Sequence, residues 1–151
     1  MHFSKYHGLG NDYIVIDPTD ADGALPPDAI RRICDRHYGV GADGILFGPQ
    51  PAGKNDFGVR IYNPDGSEAE KSGNGLRIFA RYLTDRQLVG NDRPFVIATL
   101  GGDVSAQVTD GGQTVSVEMG RVSFSSPDIP MTGPAREVIN ETMTVADTTL
   151  T

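Results

Sequence analysis

The spacing of apolar and polar positions changes period along the chain. Residues 2–9 and 12–17 (DYIVID) are short β-rich runs, and Gly8-Leu9-Gly10-Asn11 between them carries two glycines that permit a tight turn. Behind Gly23 and Pro26-Pro27 the period lengthens. Ile30, Ile33, Cys34 and His37 then fall on one stripe of a helix predicted from Asp28 to Tyr38, with the prolines at its start and Gly39 at its end. On that stripe Cys34 faces the interior and reads as a small core hydrophobe rather than a nucleophile.

The middle of the chain alternates again. Gly44–Phe47 and Phe57–Tyr62 are predicted strands, Asn63-Pro64-Asp65-Gly66 a turn, and Ser67–Lys71 a brief strand. Ser72-Gly73-Asn74-Gly75 then opens a segment in which Leu76, Ile78, Phe79, Ala80, Tyr82 and Leu83 leave little polar face beyond Arg77 and Arg81. A helix apolar nearly all round belongs inside a core. Three alternating runs follow, Phe95–Thr99, Asp103–Thr109 and Thr114–Met119, joined by Gly101-Gly102 and Asp110-Gly111-Gly112. From Gly120 to Pro134 the chain turns rich in Ser, Pro and Gly, as a connector does, and two more β-like runs cover Arg136–Thr144 and Val145–Thr151. The pattern predicts an α+β fold in which a curved, mostly antiparallel sheet wraps a central helix. Residues 1–120 are expected to form one lobe, and residues 121–151 a connector and the first strands of a second lobe, cut short.

At 151 residues the chain is one ordinary domain, or one and a fraction of a second, large enough to bury about 68–70% of its unfolded surface. Thirteen Lys and Arg against 20 Asp and Glu leave a net charge of −7, which repels phosphate backbones and anionic lipid, so neither nucleic acid nor a membrane is an expected partner. The single cysteine excludes an internal disulfide. MHFSKYHGLGNDY has no apolar signal region, and no stretch approaches the roughly 18 apolar residues that span a bilayer. The expected location is the cytoplasm. No Cys, His and carboxylate spacing marks a metal site, and His7 and His37 are expected to be structural.

The stretch richest in candidate chemistry is NPDGSEAEKSGNGLR, residues 63–77. It places Ser72, Gly73 and Asn74 at the amino end of the core helix, where unpaired N–H groups and the helix dipole attract a carboxylate or phosphate. Asn63 and Asn74 add carboxamides that both donate and accept. The same residues also make an ordinary cap and turn, since Ser is a favoured N-cap and Asn often bonds its own backbone. Glu70 and Lys71 sit next to each other in a predicted strand and point to opposite faces, so at most one of them reaches Ser72.

Four stretches, in this order and at this spacing, resemble the diaminopimelate epimerase family: FSKYHGLGND (residues 3–12), DRHYGVGAD (35–43), NPDGS (63–67) and GNGLR (73–77). The resemblance implies two similar lobes, each a curved sheet around a helix, with an amino-acid substrate in the cleft between them. It also implies cofactor-independent two-base proton transfer that interconverts LL- and meso-diaminopimelate. Carried across by motif, Asn11 and Asn63 contact the substrate's polar groups, Gly73 and Asn74 grip its carboxylate, and Ser72 takes the acid/base position, where the family normally has cysteine. Gly44 stands where some members carry a substrate-contacting side chain. Related isomerases of the wider proline-racemase-like superfamily include members with a hydroxyl residue at one of the two positions. The alternatives are an isomerase of another small amino acid and a lobe that binds without catalysing. One lobe alone is expected to be inactive, and the full-length protein to be a homodimer.

Overall fold

The computed structural model describes residues 1–151 except Asp22, Asn91, Pro130 and Thr151. Its strands are β1 (Ser4–Gly8), β2 (Asn11–Ile16), β3 (Gly44–Gln50), β4 (Phe57–Tyr62), β5 (Glu68–Ala69), β6 (Phe95–Thr99), β7 (Gly102–Thr109) and β8 (Thr114–Val117). They form one sheet in the order β1-β2-β3-β4-β6-β7-β8, with β5 also paired to β4. The β2–β3 and β4–β6 pairs are parallel and the other pairs antiparallel, so the sheet is mostly antiparallel, as the pattern predicts. Helix α1 spans Pro27–Cys34 and helix α2 spans Gly73–Asp85. Helix α2 meets β1 and β2 at one end of the sheet and β7 and β8 at the other, so the sheet curls around it.

Alternation in the strands serves both helices. Tyr13, Val15, Leu46, Val59 and Ile61 face α2 and join Leu76, Phe79, Leu83, Ile97 and Val104 in one apolar core. Ile14, Ile16, Ile45 and Phe47 point the other way and pack with Ile30 and Cys34 of α1. Cys34 is 3% exposed, the core hydrophobe expected.

Helix α1 is shorter than its stripe suggested, and His37 does not lie on it. Asp35 has extended backbone (φ −60°, ψ 125°), and its carboxylate accepts the amides of His37 at 2.7 Å and Tyr38 at 2.8 Å. A side chain that satisfies its own following amides offers the backbone an alternative to another helical turn. The chain then folds back so tightly that a Cβ on Gly39 would lie 2.0 Å from the Arg32 carbonyl oxygen.

Residues Gly120–Thr151 form a separate compact unit. Of the β-like runs expected there, Arg136–Thr144 contributes a single bridge, Ser125 to Glu137, before strand β9 (Met143–Val145) pairs antiparallel with β10 (Thr148–Leu150). The turn falls at Ala146-Asp147, both at positive φ (45° and 66°), which suits a two-residue hairpin and moves the break beyond the expected boundary at residue 145.

Phe79 is fully buried in the centre of α2. Phe79→Ala is expected to lower the unfolding free energy by about 3–5 kcal/mol, whereas Leu9→Ala, at a side chain 90% exposed, changes it by less than about 0.5 kcal/mol; urea unfolding of both variants checks the contrast.

Candidate functional site

The amino end of α2 is organised by Ser72. Its backbone is extended (φ −140°, ψ 114°), its hydroxyl accepts the Gly75 amide at 3.0 Å, and its carbonyl accepts the Leu76 amide at 2.8 Å. The first of these bonds satisfies one of the helix's orphan donors, and the second is the first regular bond of the helix. The amides of Gly73 and Asn74 have no partner among the described residues. Gly75 allows the capping geometry, since a Cβ there would stand 3.1 Å from the Ser72 side chain and 3.2 Å from Leu46. At Gly73 the nearest atom to such a Cβ is Met119 Sδ at 3.9 Å. Ser72, Gly73 and Asn74 are all partly exposed.

Tyr13 reaches the same point from β2. Its hydroxyl and that of Ser72 share a hydrogen bond of 3.0 Å. The register pairs Tyr13 with Gly44 on β3, and a Cβ on Gly44 would lie 2.6 Å from the Tyr13 ring and 2.6 Å from the Tyr62 carbonyl oxygen. Gly44 is therefore a buried seat for the tyrosine ring. Tyr13 was not among the residues singled out from the sequence; the available signal was its phase, shared with Val15, which turns both side chains towards α2. Neither Glu70 nor Lys71 hydrogen-bonds to Ser72; they pack at the Gly101 turn, where the Glu70 carbonyl accepts the Gly101 amide at 3.0 Å.

Asn11 and Asn74 are brought together. Asn74 Nδ2 donates to Asn11 Oδ1 at 3.2 Å, Asn11 Nδ2 donates to Asp43 Oδ2 at 2.9 Å, and Arg77 donates to Asn74 Oδ1. The chain of bonds orients both carboxamides and leaves each a second N–H. Beneath it lies a compact charge cluster: Arg36 bonds Asp12 at 2.6 Å and Asp43 at 2.7 Å, and Lys5 pairs with Asp12 at 3.1 Å. The Arg36 guanidinium, helped by Lys5, holds the Asp12 carboxyl well below the usual carboxylate range. Asp43 is also lowered, first by the Asn11 carboxamide and then by the Asp12 amide. Asn63 stands apart: its Nδ2 donates to Ser67 Oγ at 3.0 Å within its own turn, and no hydrogen bond joins it to Asn11, Ser72 or Asn74 among the described residues.

A family model described as diaminopimelate epimerase matches residues 3–125. The chain belongs to the diaminopimelate epimerase family. It is 59% identical over 141 residues to diaminopimelate epimerase 2 of Nostoc sp. (strain PCC 7120 / SAG 25.82 / UTEX 2576), covering 93% of this chain and 49% of that protein. It is 43% identical to the diaminopimelate epimerase of Synechocystis sp. (strain ATCC 27184 / PCC 6803 / Kazusa), covering 92% and 50%. The chain thus spans about half the length of the curated relatives it matches. Among solved structures, a hydroxyproline epimerase from Agrobacterium vitis has a TM-score of 0.59 at 17% identity, covering 78% of this chain and 40% of that one, a likeness of fold. No described helix is long and apolar enough to cross a membrane.

Two predictions follow from the geometry of this diaminopimelate-epimerase helix start. Ser72→Ala is expected to cost about 0.5–2 kcal/mol through loss of the cap, read by urea unfolding. Asp12 and Asp43 titrate lower when folded than when unfolded, so the stability they add is present above the unfolded carboxylate range, near 4, and is lost as pH falls through the folded values. Asp12→Asn should therefore unfold at lower urea than the parent at pH 7, and the gap should narrow progressively below about pH 4.

Proposed function

We propose that this chain is the amino-terminal lobe of a cofactor-independent amino-acid epimerase that interconverts LL- and meso-diaminopimelate by two-base proton transfer. The observation that carries this reading is the start of α2: two amides without partners, at Gly73 and Asn74, beside the Ser72 hydroxyl, in a chain of the diaminopimelate epimerase family. An α-hydrogen next to an ionised carboxylate is a very weak acid. Its removal becomes feasible where fixed N–H donors and a helix dipole meet the charge that develops on the carboxylate. Gly73 and Asn74 would hold that carboxylate, and the free N–H groups of Asn11 and Asn74 would meet the remaining polar groups. Asn63 would join them by giving up Ser67. Ser72 would exchange the proton on this lobe's face of the substrate.

Residues 1–120 would be the lobe proper, and 121–151 the connector and opening strands of a second lobe that supplies the other base; the division of the chain at Met119/Gly120 supports this arrangement. The full-length protein would act as a homodimer in the cytoplasm, and the 151 residues alone would show no turnover.

In deuterated water the full-length protein is expected to exchange the α-hydrogen of diaminopimelate, with Ser72→Cys as fast or faster and Ser72→Ala slower by about 10²–10⁴. Exchange of a different amino acid but not diaminopimelate would reassign the substrate. Saturable binding of an amino acid without any exchange would show a binding lobe instead.

A further inference from the structure

Serine is a poor proton-transfer group unless a neighbour changes its behaviour, and Ser72 has one neighbour able to do so. A serine oxygen carries one proton and two lone pairs. One lone pair of Ser72 Oγ accepts the Gly75 amide at 3.0 Å, and Tyr13 Oη stands 3.0 Å away. Either hydroxyl can donate in this bond; the greater acidity of a phenol over an aliphatic alcohol favours Tyr13 as donor and Ser72 Oγ as acceptor, the direction taken here. Both lone pairs are then occupied, and the Ser72 proton is the one function left for a ligand. No charged side chain bonds to either hydroxyl among the described residues: Glu70 and Lys71 lie at the Gly101 turn, and Arg77 is turned to Asn74. Tyr13 is 7% exposed, and its ring is seated against Gly44, so the phenol is held in place.

We propose that Tyr13 is the positioning residue and proton reservoir of Ser72, the two hydroxyls forming a relay across their shared hydrogen bond at the start of α2. The relay rests on the proton exchange assigned to Ser72 above. When a substrate carbanion is protonated, the Ser72 O–H bond breaks and its proton forms the new C–H bond with the carbanion's electron pair. The Tyr13 O–H bond breaks as its proton moves to Ser72 Oγ, and the negative charge comes to rest on the phenolate. The reverse sequence removes the α-proton. The Gly75 amide and the helix dipole stabilise the alkoxide character that Ser72 passes through. The effective acid and base of the lobe is then a phenol, reached through an alcohol.

The hydrogen bond can be tested in this chain without any substrate. Cys34 is buried, and desolvation pushes its thiol up to about 11; Cys34→Ala removes it from the readout. In that background Ser72→Cys places a thiol at the end of the relay, and its alkylation by iodoacetamide is followed against pH. Adding Tyr13→Phe is expected to raise the thiol's midpoint by about 0.5–1 unit and to slow alkylation at pH 7 about three- to tenfold. Replacing Tyr13 by 3,5-difluorotyrosine, a stronger donor of nearly the same shape, should move the midpoint down, and this variant serves equally if Tyr13→Phe does not fold. Unchanged midpoints, or shifts of the opposite sign, would overturn the relay while leaving the epimerase reading intact. In full-length protein that exchanges diaminopimelate, Tyr13→Phe should lower kcat at least tenfold with KM within about twofold. An unchanged kcat would also overturn the relay, whereas a parent without exchange would overturn the epimerase reading and leave the thiol result standing.

Discussion

A helix that is apolar on almost every side exists in water only if something closes around it, and closure leaves its ends as the places where its backbone can meet a ligand. Here the curled sheet buries Leu76, Phe79, Ala80 and Leu83 of α2 from several directions at once. Pairing β2 with β3 and β4 with β6 in parallel lets one continuous sheet reach from β1 to β8 and touch α2 with both ends. The price of that burial is conformational and desolvation free energy, but its consequence is chemical. The axis of α2 is fixed, so its dipole and its two unpartnered amides point in a fixed direction. That is the preorganisation on which stabilisation of a developing charge depends.

The groups around the helix start share the labour of holding it. Ser72 caps the helix, so the residue proposed to exchange the proton is also the one that stabilises the element. Tyr13 supports Ser72 from the sheet, and Gly44 supports Tyr13 by having no side chain. On the other side, Lys5, Asp12, Arg36 and Asp43 form a nearly balanced charge cluster that anchors the Gly8–Asn11 turn to the 36–43 loop. Its bonds cross between segments about 30 residues apart, and its effect at the site is to aim Asn11 and, through it, Asn74.

Much of this was legible in the sequence where local pattern and final environment agree. Strands β4 and β6 have the expected boundaries, and α2 was evident because an all-round apolar helix has few alternatives. Legibility failed where a short-range side-chain bond or a long-range contact decided the outcome. Helix α1 stops early because the Asp35 carboxylate captures two amides, which no periodicity records. The Asn63 carboxamide donates to Ser67 four residues on, a local bond that the motif does not show. The Tyr13–Ser72 bond joins residues 59 apart in sequence and needs the β2–β3 register before it can be seen.

The most direct measurement is an amide-resolved NMR titration of this chain with meso-diaminopimelate, with acetate as a bare carboxylate in parallel. If the open end of α2 receives the substrate's carboxylate, the Gly73 and Asn74 amides shift furthest and saturate with both ligands, and Gly75, already bonded to Ser72, shifts less. If Gly73 and Asn74 stay still while another set of amides saturates, the carboxylate binds elsewhere and the account of this helix start is wrong.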